Sequence, residues 1–202
     1  KQVIKEKPYD IFISFKASDE KGSNTKDYFE ATNLHSFLVG KGYKVFFSPV
    51  SLKEKTASEY EPYIYHALRT AKVMIVYGQK EEYFEAKWLK NEWGRFIRMI
   101  DEGIKEDGSL IVCYENMNPN NLPNRLKKLQ CLNLSDKTSY ITLDKVLNKL
   151  INEKKKHIIE EVKIERKEIK KVTNVKVNSI EFHEFNASAI KQSEDEVAFI
   201  GI

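Results

Sequence analysis

The stretch Tyr9-Asp-Ile-Phe-Ile-Ser-Phe15 decides the fold class of this chain. Its apolar side chains are dense enough to be covered on both faces, which is typical of a central strand in a parallel sheet. Comparable short apolar runs recur further along the chain, at residues 43–48, 73–77, 109–114 and 130–134. Helical patterns lie between these runs, and the alternation predicts an α/β fold with a mostly parallel sheet.

The helical patterns cover residues 27–40, 58–71, 88–101 and 141–156. Asp27 is predicted to open the first helix, which ends in a glycine-rich turn. Ser58 is predicted to cap the second helix in a capping box with Glu61. Pro62 would then lie in the first turn of that helix, where the missing N–H is tolerated.

The character of the chain changes after the closing helix. We predict a main domain over residues 1–152 and an extension over residues 153–202. The extension begins as a charged helical linker and continues as an alternating, hairpin-like tail with too little core to stand alone. It could dock on the main domain, begin a second module or pair with another chain, and the sequence leaves these three alternatives open.

Composition excludes several classes of function. The net charge of +4 is spread along 202 residues, so we expect no nucleic-acid partner, which would need clustered basic side chains. No apolar run is long enough to cross a bilayer, although a signal removed ahead of Lys1 stays possible. Cys113 and Cys131 are too few for a disulfide framework or a metal cage. We therefore expect free thiols, no metal and a cytoplasmic location.

One pair of residues could carry chemistry. The phosphate-binding glycine motifs of dinucleotide and nucleotide sites are absent. In Trp88-Leu-Lys-Asn-Glu92, an indole and a carboxylate four residues apart share one helix face. The indole can stack on a planar base, and the carboxylate can stabilise positive charge on a sugar as its glycosidic bond breaks.

Both residues also have purely structural alternatives. Trp88 could pack into the core as one member of an amphipathic helix's apolar stripe. Glu92 could be a solvated carboxylate that forms an ion pair with a neighbouring basic side chain, Lys87, Arg95 or Arg98. The spacing alone does not choose among these possibilities, because such a pair arises easily by chance.

A family resemblance adds weight to the functional alternative. The blocks that carry it are Tyr9-Asp-Ile-Phe-Ile-Ser-Phe-Lys16, Lys44-Val-Phe-Phe-Ser48, Tyr60-Glu-Pro-Tyr-Ile-Tyr-His-Ala-Leu68, Val73-Met-Ile-Val76 and Trp88-Leu-Lys-Asn-Glu-Trp93. In this order they resemble a bacterial TIR (Toll/interleukin-1 receptor) domain over about residues 7 to 150. The resemblance implies a flavodoxin-like fold, a five-stranded parallel sheet with helices on both faces. Ligands of such sheets bind at the carboxyl ends of the strands, where we expect loops 16–26 and 48–58.

The resemblance also implies an activity. Many TIR domains cleave NAD at the nicotinamide–ribose bond, as NAD glycohydrolases or ADP-ribosyl cyclases. The resemblance therefore implies that NAD is consumed as a substrate and not held as a coenzyme, and that no cofactor is needed. Their Trp-x-x-x-Glu motif matches Trp88 and Glu92, which makes Glu92 the expected catalytic residue and Trp88 the stacking residue. The other expected substrate-binding residues are Phe15, Lys16, Ser48 and Leu52. The last three could also be ordinary surface or loop residues.

The same resemblance implies partners and a biological role. TIR enzymes usually build their site between protomers, so we expect homo-oligomers through TIR–TIR contacts, and a sensor or effector module attached through the extension. The expected role is antiphage or stress signalling. A non-catalytic TIR scaffold is the main alternative, and an enzyme resembling nucleoside deoxyribosyltransferases is a distant one. Loop 48–58 lacks the Arg-Asp and Pro-Gly pattern of receptor TIR domains, so receptor contacts are not carried over.

Overall fold

The structure, a computed structural model, describes residues 7–153. Residues 1–6 and 154–202 lie outside the described part, and with them nearly all of the predicted linker and hairpin-like tail. The strands are β1 (Ile11–Phe15), β2 (Val45–Phe46), β3 (Val73–Gly78), β4 (Ser109–Tyr114) and β5 (Gln130–Asn133). The α-helices are α1 (Lys26–Gly40), α2 (Ser48–Ser51), α3 (Ala57–Thr70), α4 (Glu81–Phe84), α5 (Lys87–Asp101) and α6 (Lys137–Asn148).

All strand pairs in the sheet are parallel, in the order β2-β1-β3-β4-β5. This confirms the predicted α/β class, and the order is that of flavodoxin-like sheets. Helices cover both faces. One apolar cluster packs the inner sides of α3, α4 and α5 against the sheet, and a second packs α1 and α6 against the opposite face. The switch in strand order falls between β1 and β3, so their carboxyl ends border a natural crevice.

The beginnings of the helices differ from the sequence expectations. Thr25 caps α1 by accepting a hydrogen bond from the backbone N–H of Tyr28, so Asp27 lies within the first turn. The capping box of α3 is formed by Thr56 and Glu59, and the prediction of Ser58 with Glu61 was wrong. Both pairs have the Ser/Thr-x-x-Glu spacing, and the earlier one closes the helix.

The earlier start of α3 also moves Pro62 out of the first turn and into the helix. There the missing N–H removes a hydrogen bond of the helix interior. Residues 48–51, predicted as loop, form the short helix α2 directly after a two-residue β2. The last helix begins at Lys137, four residues before the predicted start, because Asp136 caps it through the backbone N–H of Thr138. It ends in a π-helical turn, Lys149–Glu153.

Candidate functional site

Helix α5 has two stripes of side chains, one buried against the sheet and one on the outer side of the helix. Leu89, Trp93 and Phe96 are buried against the sheet, and the Trp93 indole N–H donates to the Phe84 carbonyl at 3.0 Å. Trp88 lies on the outer stripe and is 59% exposed. The core-packing alternative for Trp88 is therefore wrong, because Trp93 is the indole that fills the core. The exposed ring of Trp88 is free to stack on a ligand.

Glu92 extends from the same outer stripe to the end of β1. Its carboxylate accepts a hydrogen bond of 2.5 Å from the hydroxyl of Ser14, a buried residue of that strand. Over residues 7–153, the ion pairs that the structure contains do not include Glu92. Arg95 instead lies over the ring of Tyr65, with its guanidinium carbon 4.0 Å from the ring centroid. The alternative of a solvated ion pair for Glu92 is therefore not what the structure shows.

Burial changes the protonation of Glu92. The loss of solvation raises its pKa from 4.5 to about 7, while hydrogen bonding by Ser14 and Trp88 lowers it. Near neutral pH both the protonated and the ionised form of the carboxyl are therefore populated. A cationic group bound beside it would favour the charged form, and the charged form would in turn stabilise the cation.

A cavity of about 610 Å³ opens at the carboxyl end of β1, between that strand, the start of α2 and the start of α5. We call it the first cavity. It brings together most of the residues expected from the sequence, namely Phe15, Lys16, Ser48, Trp88 and Glu92. Its apolar floor is built from the buried side chains of β1 and β2. Its size is within the range of small-molecule sites.

Leu52 is the expected site residue that does not line this cavity. It is 6% exposed and packs in the core cluster beneath α3 and α5. The reason is the short helix α2, which was predicted as loop. Its single turn folds the chain after Ser48 inward and carries Leu52 into the core.

Other residues of the first cavity were not expected from the sequence. Lys87 and Asn91 line it beside Trp88, and Ser18 lines it beyond the end of β1. Ser14, the hydrogen-bond partner of Glu92, was missed as well. A signal for Ser14 was available, because it is a polar residue near the end of an otherwise apolar strand.

A second cavity, of about 600 Å³, lies on the other side of the same stripe of α5, where α3 faces it. We call it the second cavity. Trp88, Asn91 and Glu92 line both cavities, so the carboxylate stands at their common boundary. Beyond this boundary the second cavity contains Arg95 and Arg98, which the first does not.

The arrangement places a carboxylate beside an exposed aromatic ring, which can stabilise a bound cationic centre. Within the part of the chain that the structure describes, no group of three or more His, Cys, Asp or Glu side chains could hold a metal ion. Both cysteines are free, Cys113 buried and Cys131 partly exposed. Over residues 7–153, no helix is long and apolar enough to cross a membrane. No model of a known protein family matches the chain, and no curated protein is similar to it at a significant level.

Proposed function

We propose that this chain is a TIR-type enzyme that cleaves NAD at the bond between nicotinamide and ribose. One observation carries the proposal: the partly buried carboxylate of Glu92 lies at the edge of a cavity beside the exposed ring of Trp88, at the carboxyl end of a parallel strand. That combination matches the chemistry of an N-glycosidic bond between a planar cationic base and a sugar. The resemblance of residues 7 to 150 to TIR domains supports the same conclusion.

In the proposed reaction the bond between the ribose C1′ and the pyridinium nitrogen breaks. Its electron pair stays with the nitrogen, so nicotinamide leaves as a neutral molecule and needs no proton from an acid. Positive charge develops on the ribose, where the charged form of Glu92 stabilises it. Water then adds to C1′ and releases one proton to give ADP-ribose, or a nitrogen of the adenine attacks C1′ to give a cyclic product.

The remaining residues of the first cavity position the substrate. The Trp88 ring stacks on the nicotinamide, and Phe15 supplies an apolar wall. Lys16 and Ser48 offer hydrogen-bond donors to the carboxamide or the ribose. NAD is the substrate and no further cofactor is needed. We further propose that the chain assembles through TIR–TIR contacts in the cytoplasm and acts in antiphage or stress signalling.

The test is release of nicotinamide from NAD by the purified chain at high concentration, beside Glu92→Gln. A matched control is Glu102→Gln, which removes an exposed carboxylate at the far end of the same helix. Release that Glu92→Gln abolishes and Glu102→Gln retains would support the proposal. Chromatography of the product would then distinguish hydrolysis from cyclisation.

A scaffold without catalysis is the second candidate, since the half-exposed ring of Trp88 could also contact a protein partner. The two candidates differ in what Glu92→Gln does. If the variant chain still assembles and its biological output survives this change, the output does not depend on the carboxylate. Absence of nicotinamide release from the assembled chain would favour the scaffold in the same way.

A further inference from the structure

The outer stripe of α5 continues past Glu92 with two arginines. Arg95 and Arg98 follow at helical spacing and line the second cavity. With a rise of about 1.5 Å per residue, they lie about 4.5 and 9 Å further along the helix axis than Glu92. In NAD, one ribose ring separates the bond that would break from the first phosphate. The distance from the carboxylate to the arginines is therefore similar to the distance from the nicotinamide ribose to the diphosphate in NAD.

The two guanidiniums are exposed, and in the described part of the chain neither forms an ion pair, although the carboxylate of Glu61 also lines the second cavity. Over residues 7–153, the ion pairs do not include Arg95 or Arg98. Arg95 is held by its stacking on Tyr65, whose hydroxyl donates to Glu61 at 2.5 Å. Stacking on an aromatic face leaves the N–H donors at the edge of a guanidinium available to an anion.

The rest of the second cavity suits a flat apolar group. Ile64 and Leu68 of α3 form a buried apolar floor, and the half-exposed rings of Tyr60 and Tyr65 stand beside it. Aromatic and aliphatic faces of this kind bind a purine base by stacking. An anion-binding site next to such a surface fits a nucleotide better than it fits a free phosphate.

We propose that the second cavity holds the adenosine diphosphate end of NAD, with the phosphate oxygens on Arg95 and Arg98. The inference rests on the proposed function, and it adds an orientation to it. The substrate lies across the outer stripe of α5, with nicotinamide in the first cavity and the adenosine diphosphate in the second. Glu92, which lines both cavities, then stands beside the ribose between them.

The kinds of cation in the two cavities favour this orientation over the reverse. The first cavity contains Lys16 and Lys87, whose ammonium groups act as point charges. The lysine of the second cavity, Lys90, already pairs with Glu85. The guanidiniums of the second cavity offer forked donors that match phosphate oxygens, a geometry that the ammonium groups of the first cavity do not have.

The experiment measures binding of ADP to the full chain by calorimetry. We expect ADP to bind and to compete with NAD in the release assay, with an affinity that falls as salt is added. Arg95→Gln and Arg98→Gln should each weaken ADP binding by about tenfold, as the loss of one charge-assisted contact implies. Arg125→Gln is the matched control, because this exposed arginine pairs with Asp101 and lines neither cavity.

Kinetics provide the second readout. The ratio of kcat/KM for NAD to that for nicotinamide riboside, which lacks the diphosphate, should fall in Arg95→Gln by a similar factor. ADP binding that is unchanged in both arginine variants but lost in Lys16→Gln or Lys87→Gln would overturn the orientation. The orientation would also be overturned if the chain cleaves NAD but does not bind ADP.

These outcomes separate the inference from the proposed function. Arginine-dependent binding of ADP to a chain that releases no nicotinamide would support the nucleotide site and contradict the enzyme. Release that requires Glu92 but ignores both arginines would support the enzyme and contradict the nucleotide site. Circular dichroism and thermal unfolding of each variant would show that it is folded, and both arginines are exposed, so we expect little loss of stability.

Discussion

Two carboxylates lie near the carboxyl edge of the sheet, one on each face, and loss of solvation raises the pKa of both to about 7. Glu92 belongs to the face covered by α5, and Asp27 lies in the first turn of α1 on the other face. Their surroundings differ. Glu92 lines two open cavities, whereas the side chain of Asp27 is 0% exposed. Access to a ligand, and not the raised pKa, distinguishes the candidate catalytic residue.

The surroundings of Asp27 are sealed and polar. Over residues 7–153, neither of its carboxylate oxygens has a hydrogen-bond partner of good geometry, although the backbone N–H of Gln79 lies near enough to lower its pKa. Glu115 raises it further by repulsion. The Gln79 amide donates to the hydroxyl of Tyr77 at 2.9 Å. Asp27 is thus a buried charge with incomplete compensation, which costs stability when it is ionised.

The largest expected effect separates the two carboxylates by activity. Glu92→Gln should reduce nicotinamide release by about 10²–10³-fold, the loss typical of one group that stabilises transition-state charge. Asp27→Asn should stay within a few-fold of the unmodified chain, because Asp27 lines neither cavity. Steady-state release of nicotinamide by folded variants measures both. Equal losses in the two variants would contradict the distinction.

The free energy of unfolding should distinguish Asp27, whose replacement leaves activity nearly unchanged, from Glu92. The pKa of Asp27 is about 7 in the folded chain, whereas the ordinary value for an aspartate is 3.8. Folding therefore takes up a proton at pH values between the two. The contribution of Asp27 to the free energy of unfolding is fully present below about 3.8, and it is lost as pH rises through 7. Asp27→Asn should therefore stabilise the chain by roughly 1–2 kcal/mol at pH 8 and have little effect at pH 4.

Urea unfolding of the chain and the Asp27→Asn variant at these two pH values measures the difference. Asp27→Ala is a useful companion, because it removes the charge without introducing the amide donors of asparagine. If both variants are less stable than the unmodified chain at pH 8, ionised Asp27 is compensated better than its burial indicates.

The comparison also shows which parts of the molecule were predictable. The apolar runs gave the five strands, because a strand covered on both faces must be almost continuously apolar. The spacing of Trp88 and Glu92 placed both on one helix face, and three of the four other expected site residues, Phe15, Lys16 and Ser48, line the same cavity. Leu52 was misplaced, because a four-residue helix has no periodicity that sequence patterns can detect.

Long-range contacts explain the rest of what was missed. Glu92 and Ser14 are 78 residues apart in sequence, and their hydrogen bond depends on how α5 packs on β1. The same holds for the second cavity, which needs α3 and α5 side by side. The burial of Asp27 was likewise hidden, since an acidic residue in the first turn of a helix ordinarily faces solvent and the helix dipole.

The smallest expected effect concerns the hydroxyl of Ser14. Its hydrogen bond favours the charged form of Glu92 and lowers the pKa of that carboxyl. Ser14→Ala should therefore raise the pKa, and the rise of kcat/KM with increasing pH should move to higher pH by less than about one unit. A pH profile of nicotinamide release measures the midpoint. Ser14→Thr keeps the hydroxyl and should restore part of the shift, whereas a merely structural role for Ser14 would lower activity equally at every pH.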